Sequence, residues 1–330
     1  MIYDVEFNSG AQYRVKDVVE LAVLAERQGF AGTWQGESNS QDPIVLLSAI
    51  AVKTTSLQLG TAIYHVYGRS PVTLGIQAAT LNDLSDGRLL LGLGVANARI
   101  ASWHGATTFD KPIKRIREYA EIVRRVHSGE KVEYRGEAYS TTPFKLSWKP
   151  SHPDLAIYLA GLGPRMTRQA GTIARGVIVN MADPPQLRKI VANVRAGAEE
   201  AGRDPGSVEI VAKVRCALNR DLERAKAPLR NVLTFYSLAD YYGNMIREMG
   251  WAEEIDAVHA AYRAGGFRAA TAAIPDRMLL GLPMVPATSV EEMRERVSEW
   301  GEAGATRINL SVVPCGQDLV EEVRTFLKAW

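Results

Sequence analysis

Glu6, Glu37 and His65 are the side chains in this sequence best placed to move a proton. Each follows a short β-like run, where a carboxylate needs a partner or a shifted pKa and an imidazole titrates near neutral pH. A structural hydrogen bond or ion pair is the alternative for the two acids, and a rim histidine without a role is the alternative for His65. Leu159-Ala160-Gly161-Leu162-Gly163-Pro164-Arg165 runs from a strand through a glycine turn into a helix opened by proline. Backbone N–H groups at such a start favour a phosphate, and Arg165 or Arg168 could add charge; an ordinary tight turn is the other reading. Gly92-Leu93-Gly94 carries two glycines of a dinucleotide fingerprint, but Asn97 stands where the third belongs. Small residues that let a backbone or a flat ring come close fit it better. His104, His127, His152 and His259 have no ligand-like spacing, so surface or packing positions and no metal site are expected. HExxH, GxxxxGK[ST] and a Ser-His-Asp pattern are absent, which argues against hydrolase and NTPase chemistry.

These residues hang on a regular framework. Eight β-like runs, at 3–7, 32–35, 57–63, 88–93, 155–160, 175–180, 208–215 and 306–312, alternate with helical runs. Repeated βα units imply a parallel sheet, and eight of them predict closure into a single-domain TIM (β/α)8 barrel over 1–330; an open doubly wound sheet is the alternative. Barrel active sites lie at the carboxyl ends of the strands. That rule collects Glu6-Phe7-Asn8, Glu37-Ser38, Ile63-Tyr64-His65, Ala96-Asn97, Gly161-Leu162-Gly163 and Asn180-Met181 on one rim. Two stretches exceed a minimal barrel and are expected in βα loops: a hairpin at 131–140 and a helical insertion at 225–277. The aromatics of the second, Tyr236 to Trp251, read as helical packing more readily than as a pocket lining.

Composition closes off other classes. The 330 residues hold 39 Lys plus Arg against 37 Asp plus Glu, a net charge of +2, with 46% hydrophobic residues. Disorder needs the opposite balance, and bulk attraction to nucleic acid needs an excess of basic residues. No apolar run approaches a membrane span. Cys216 and Cys315 are far apart, giving no disulfide framework. The expected compartment is the reducing cytoplasm, and the expected partner is a small-molecule substrate.

Leu59-Gly60-Thr61-Ala62-Ile63, Arg69-Ser70-Pro71, Gln77-Ala78-Ala79-Thr80-Leu81, Leu84-Ser85-Asp86-Gly87-Arg88 and Leu91-Gly92-Leu93-Gly94 together resemble the bacterial luciferase-like flavin and deazaflavin oxidoreductases. Arg115-Ile116-Arg117-Glu118 and the glycine turn after the fifth run extend the likeness over nearly the whole chain. Val5-Glu6-Phe7 and Gly304-Ala305-Thr306 make it similar to the methylenetetrahydromethanopterin reductase group. The resemblance implies a TIM barrel that uses the deazaflavin coenzyme F420 as hydride carrier, and favours a homodimer. It implies a non-prolyl cis peptide at Ala62–Ile63 behind the cofactor ring, and a phosphate site at Gly161, Leu162 and Gly163. Asn97 falls where the family contacts ring or substrate, and Ser38 and Asn180 join the cofactor-contacting rim. Many deazaflavin members carry Asp-His after the second strand, where this chain has Glu37-Ser38, so His65 is the candidate replacement for the imidazole. Two rivals remain: an FMN-dependent monooxygenase, and a barrel that binds a flavin without catalysis.

Overall fold

The computed structural model describes residues 1–7 and 13–330. Eight parallel strands close into a barrel: β1 (Ile2–Glu6), β2 (Gly32–Gln35), β3 (Gln58–Thr61), β4 (Leu89–Gly94), β5 (Ala156–Ala160), β6 (Gly176–Asn180), β7 (Glu209–Leu218) and β8 (Arg307–Val312). The ring closes because β7 pairs with both β6 and β8, and β8 with β1. Side chains alternate between lumen and exterior with period two. The outward set, including Val5, Leu59, Leu91, Leu159, Val177, Val214 and Leu310, is fully or almost fully buried under the helices. Proline in the first turn and a side-chain cap begin several of those helices, as at Asp42-Pro43, Ser70-Pro71 and Asp183-Pro184.

The amino end of the lumen is plugged. Arg307 grips Asp4 in a fork, Nε to Oδ2 at 2.9 Å and Nη2 to Oδ1 at 2.8 Å, and Trp34 Nε1 donates to the same carboxylate at 2.8 Å. The three side chains are buried, so the geometry must satisfy every charge. Trp34 lies flat against β3: a Cβ on Gly60 would come 2.3 Å from its ring. Tyr158 meets Trp34 edge-on at 5.4 Å and donates to Glu209 at 2.9 Å. Ligand access is therefore confined to the carboxyl end.

Three features differ from the sequence expectation. The hairpin, Val132–Arg135 and Ser140–Phe144, runs past the expected 131–140. It follows the helix Pro112–His127 and so lies in a helix-to-strand connection, not in a βα loop. Its turn is held there because Glu118 accepts the N–H groups of Glu137, Ala138 and Tyr139. The helical insertion does follow β7. Helices Leu222–Ser237, Asp240–Ile246, Ala252–Ala272 and Asp276–Gly281 share a core of their own around Leu229, Leu233, Ile255 and Met278. Its exit forms an unexpected short strand, Met284–Ala287, which extends the edge of β7 beyond β6.

Candidate active site

Register places the polar residues of the lumen. Asp4, Asn309, Lys213 and Asn180 are aligned across β1, β8, β7 and β6. Two residues further along each strand, Glu6, Ser311 and Arg215 form the next layer toward the carboxyl end. Glu6 is 2% exposed. Its Oε1 accepts from Lys213 Nζ at 2.6 Å and its Oε2 from Asn309 Nδ2 at 2.9 Å. One cation and one amide thus hold the buried carboxylate in a fixed orientation.

Arg215 stands beside this pair with neutral partners. Its guanidinium donates to Asn180 Oδ1 at 2.9 Å and the Tyr236 hydroxyl at 2.7 Å, and faces Met181 Sδ at 3.4 Å. Asn180 in turn donates to the Tyr242 hydroxyl at 3.0 Å. The insertion therefore brings Tyr236 and Tyr242 onto the barrel mouth, contrary to the expectation of plain helical packing. Burial pushes the Tyr236 phenol up, but the charges of Arg215 and Lys213 outweigh it and bring it below its ordinary value.

A second polar group forms on the opposite arc. The Ala62–Ile63 peptide is cis, as the resemblance implies. Beyond it Tyr64–His65 pairs with the end of β4. Ile63 lies over Gly94, where a Cβ would approach it to 2.8 Å. Glu37 pairs with Arg69 and accepts the His65 backbone N–H at 3.1 Å. His65 Nε2 lies 3.3 Å from Glu37 Oε2 without the alignment of a hydrogen bond. Burial, with help from His104 and Arg69, brings the His65 pKa down to about 4, so the ring is neutral at neutral pH. His104 corrects its expected place: its ring meets His65 edge-on at 4.6 Å, and its Nε2 bonds the Ser38 carbonyl at 3.0 Å. Ser38 reaches this group through that carbonyl, while its hydroxyl stands 3.5 Å from that of Ser40.

The glycine turn lies at the end of β5. Gly161 donates to Ile178 O at 3.2 Å, and Gly163 opens the helix Pro164–Ile173 without a side-chain cap. Among the described residues no atom lies within 4 Å of where a Gly163 Cβ would point. The Gly163 amide meets the Tyr241 hydroxyl, which bounds the turn on the side of the insertion. Arg168 is drawn away to Glu200. Asn97 is exposed and caps the helix Ala98–Trp103 through its Oδ1, 2.9 Å from Ile100 N. Asn8 lies outside the described residues. The sequence pattern does not single out Lys213, Arg215, Asn309, Arg69 or His104. The visible signal is the spacing of Lys213 and Arg215: two cations, two residues apart, inside an otherwise apolar strand must share one face, and in a barrel that face is the lumen.

A barrel closed at one end, with a held carboxylate, two cations and a glycine turn that opens a helix at the other, defines a TIM-barrel enzyme. The chain belongs to the luciferase-like monooxygenase family, whose pattern it matches over residues 4–307, and is an oxidoreductase. It is 28% identical over 307 residues to the 5,10-methylenetetrahydromethanopterin reductase of Archaeoglobus fulgidus, a match covering 91% of this chain and 90% of that protein. Its fold superposes on the coenzyme F420 dependent tetrahydromethanopterin reductase of Methanopyrus kandleri with a TM-score of 0.86, at 23% identity over 99% of this chain and 97% of that one. A monooxygenase from Streptomyces bottropensis superposes with a TM-score of 0.72, at 21% identity over 100% and 97%. Among the described residues no helix is long and apolar enough to cross a membrane.

Proposed function

We propose that the protein transfers a hydride between coenzyme F420 and a small organic substrate. The carrying observation is the uncapped turn at Gly163, open on its Cβ side, on the same rim as the held carboxylate of Glu6. That turn fits a phosphate-bearing cofactor: the Leu162 and Gly163 amides would hold the phosphate at a helix start, the Gly163 amide in exchange for the Tyr241 hydroxyl, while Gly161 keeps its bond to Ile178 and shapes the turn. Ser38, Ala62, Ile63, Asn97 and Asn180 would surround the ring. The name of the Methanopyrus protein supports F420 over other flat cofactors. When bound, the deazaflavin would supply the hydride chemistry.

The protein's own part is positioning and proton transfer. Glu6 is the acid–base group, kept in place by Lys213 and Asn309. Lys213 and Arg215 set a positive field at the barrel mouth, which favours negative charge on whatever binds there. Glu37 and neutral His65 orient the substrate from the opposite arc. The helical insertion, through Tyr236 and Tyr242, shields the mouth from water. A cytoplasmic homodimer is proposed with this reading, the compartment on the two widely separated cysteines and the dimer on the family resemblance.

The Streptomyces structure favours one alternative, a monooxygenase on the same barrel, for which FMN would be the cofactor. Fluorescence titration of purified protein with F420 and with FMN separates the two. The proposal expects F420 to bind more tightly and to turn over without oxygen. Preferential FMN binding with oxygen consumption would move the assignment to the monooxygenase. If neither cofactor binds or raises the melting temperature, both readings fall.

A further inference from the structure

We propose that Glu37, His65 and His104 form a binding site for one divalent metal ion that prefers nitrogen and oxygen ligands, such as Zn2+. The residues come from three consecutive strand ends: Glu37 after β2, His65 from the short strand that follows β3, and His104 after the helix that follows β4. One Glu37 oxygen and one ring nitrogen of each histidine lie within 4.8 Å of one another.

Four observations support a cation there. First, His65 is buried, yet neither ring nitrogen has a hydrogen-bond partner among the described residues. An imidazole always carries at least one N–H, and leaving its polar atoms unpaired in the interior is costly. Second, His65 Nε2 and Glu37 Oε2 are 3.3 Å apart without hydrogen-bond alignment. Two ligands about 2.0–2.1 Å from one tetrahedral centre are separated by about 3.3–3.4 Å. Third, His104 Nε2 bonds the Ser38 carbonyl. That is the outer partner that orients a metal-bound imidazole, and it leaves the lone pair on the other nitrogen. Fourth, Gly68 leaves space beside the site, since a Cβ there would come within 2.8 Å of His65 Nε2 and 3.3 Å of His104 Cβ.

Charge agrees with this arrangement. Arg69 pairs with both Glu37 and Asp42, so one guanidinium faces two carboxylates and the cluster keeps a net negative charge. Arg69 takes Glu37 Oε1 and leaves Oε2 toward the histidines. Two nitrogens and one carboxylate oxygen form a donor set used for zinc with one open position. The ion would tie the three loops of this arc together.

The test needs no flavin or deazaflavin, so it can fail while the hydride-transfer reading stands, and the reverse. Untagged protein is stripped with chelator and titrated calorimetrically with Zn2+, and with Co2+ as a visible spectroscopic probe. One ion per chain, a tetrahedral Co2+ spectrum and a raised melting temperature are expected. His104→Ala should weaken binding at least tenfold while the apo protein keeps its circular dichroism spectrum. Gly68→Ala, which keeps all three ligands but fills the space, should also weaken it. Absence of one-to-one binding overturns the proposal, as does unchanged affinity in His104→Ala, which would put the ion elsewhere.

Discussion

Arg215 Nη2 lies 2.7 Å from the Tyr236 hydroxyl, and no carboxylate pairs with this buried guanidinium among the described residues. A buried cation with only neutral partners is expensive to hold. Arg215→Met removes that burden and keeps most of the volume. Against that gain, the variant leaves Asn180 Oδ1 and the Tyr236 hydroxyl without their donor, which costs about 1–3 kcal/mol. The two effects oppose, so the expected result is a melting temperature within a few degrees of the parent together with at least a tenfold loss of turnover. An ultraviolet pH titration supplies a second readout: the low-titrating tyrosine of the parent, Tyr236, should move up in the variant. A clear fall in melting temperature would mean that Arg215 serves stability.

Glu6→Gln separates charge from shape at the barrel mouth. The amide oxygen can still accept from Lys213 or Asn309, but Lys213 loses its carboxylate partner, so the melting temperature should fall while the fold persists. Loss of a positioned acid–base group costs about 10²–10⁴ in rate. The expected outcome is a fall of that size in single-turnover reduction, with cofactor affinity within a few-fold of the parent. A variant that retains full turnover would move proton transfer to another group.

The barrel was legible because its signals are local: apolar runs of strand length alternate with helical stretches and turn residues across the whole chain. The carboxyl-end rule then drew Glu6, Glu37, His65 and the Gly161–Gly163 turn onto one rim. Residues whose role depends on partners distant in sequence were not legible. His104 has no metal-like spacing to His65, yet the turn after β4 folds it against that ring. Lys213 finds Glu6 only when β7 and β1 close around β8. The hairpin was visible as alternation, but its side of the barrel was set by Glu118 on the preceding helix, a single acid with no motif around it.

Two glycines at the carboxyl end should respond oppositely to alanine. A Cβ on Gly92 would fall 1.9 Å from the Thr61 carbonyl oxygen, a backbone atom that cannot swing aside, and 2.6 Å from Ile178 Cδ1. Overpacking of this kind costs about 1–3 kcal/mol, and Gly92→Ala should lower the denaturation midpoint accordingly. Gly163 has an extended backbone, with φ −76° and ψ 153°, and open space at its Cβ. Gly163→Ala should therefore leave the midpoint unchanged while weakening F420 or FMN binding several-fold. Unchanged affinity would remove the phosphate from this turn.

His127 gives the fold an acid-sensitive point away from the rim. It is buried at the end of the helix Pro112–His127, with Nδ1 3.2 Å from the Pro153 carbonyl and Nε2 without a partner among the described residues. Burial lowers its pKa from the ordinary 6.5, against the opposing pull of that carbonyl, Asp154 and Asp83. For a base with a depressed folded pKa, the unfolded chain binds the proton first as the pH falls. Its contribution is thus complete above about pH 6.5 and is lost progressively below that value. His65, also lowered, acts in the same direction. His127→Gln keeps an amide to donate to Pro153 O but cannot titrate. Denaturant midpoints measured from pH 7.5 down to 4.5 should therefore fall less steeply in the variant than in the parent. Parallel slopes would show that His127 keeps an ordinary pKa in the folded chain.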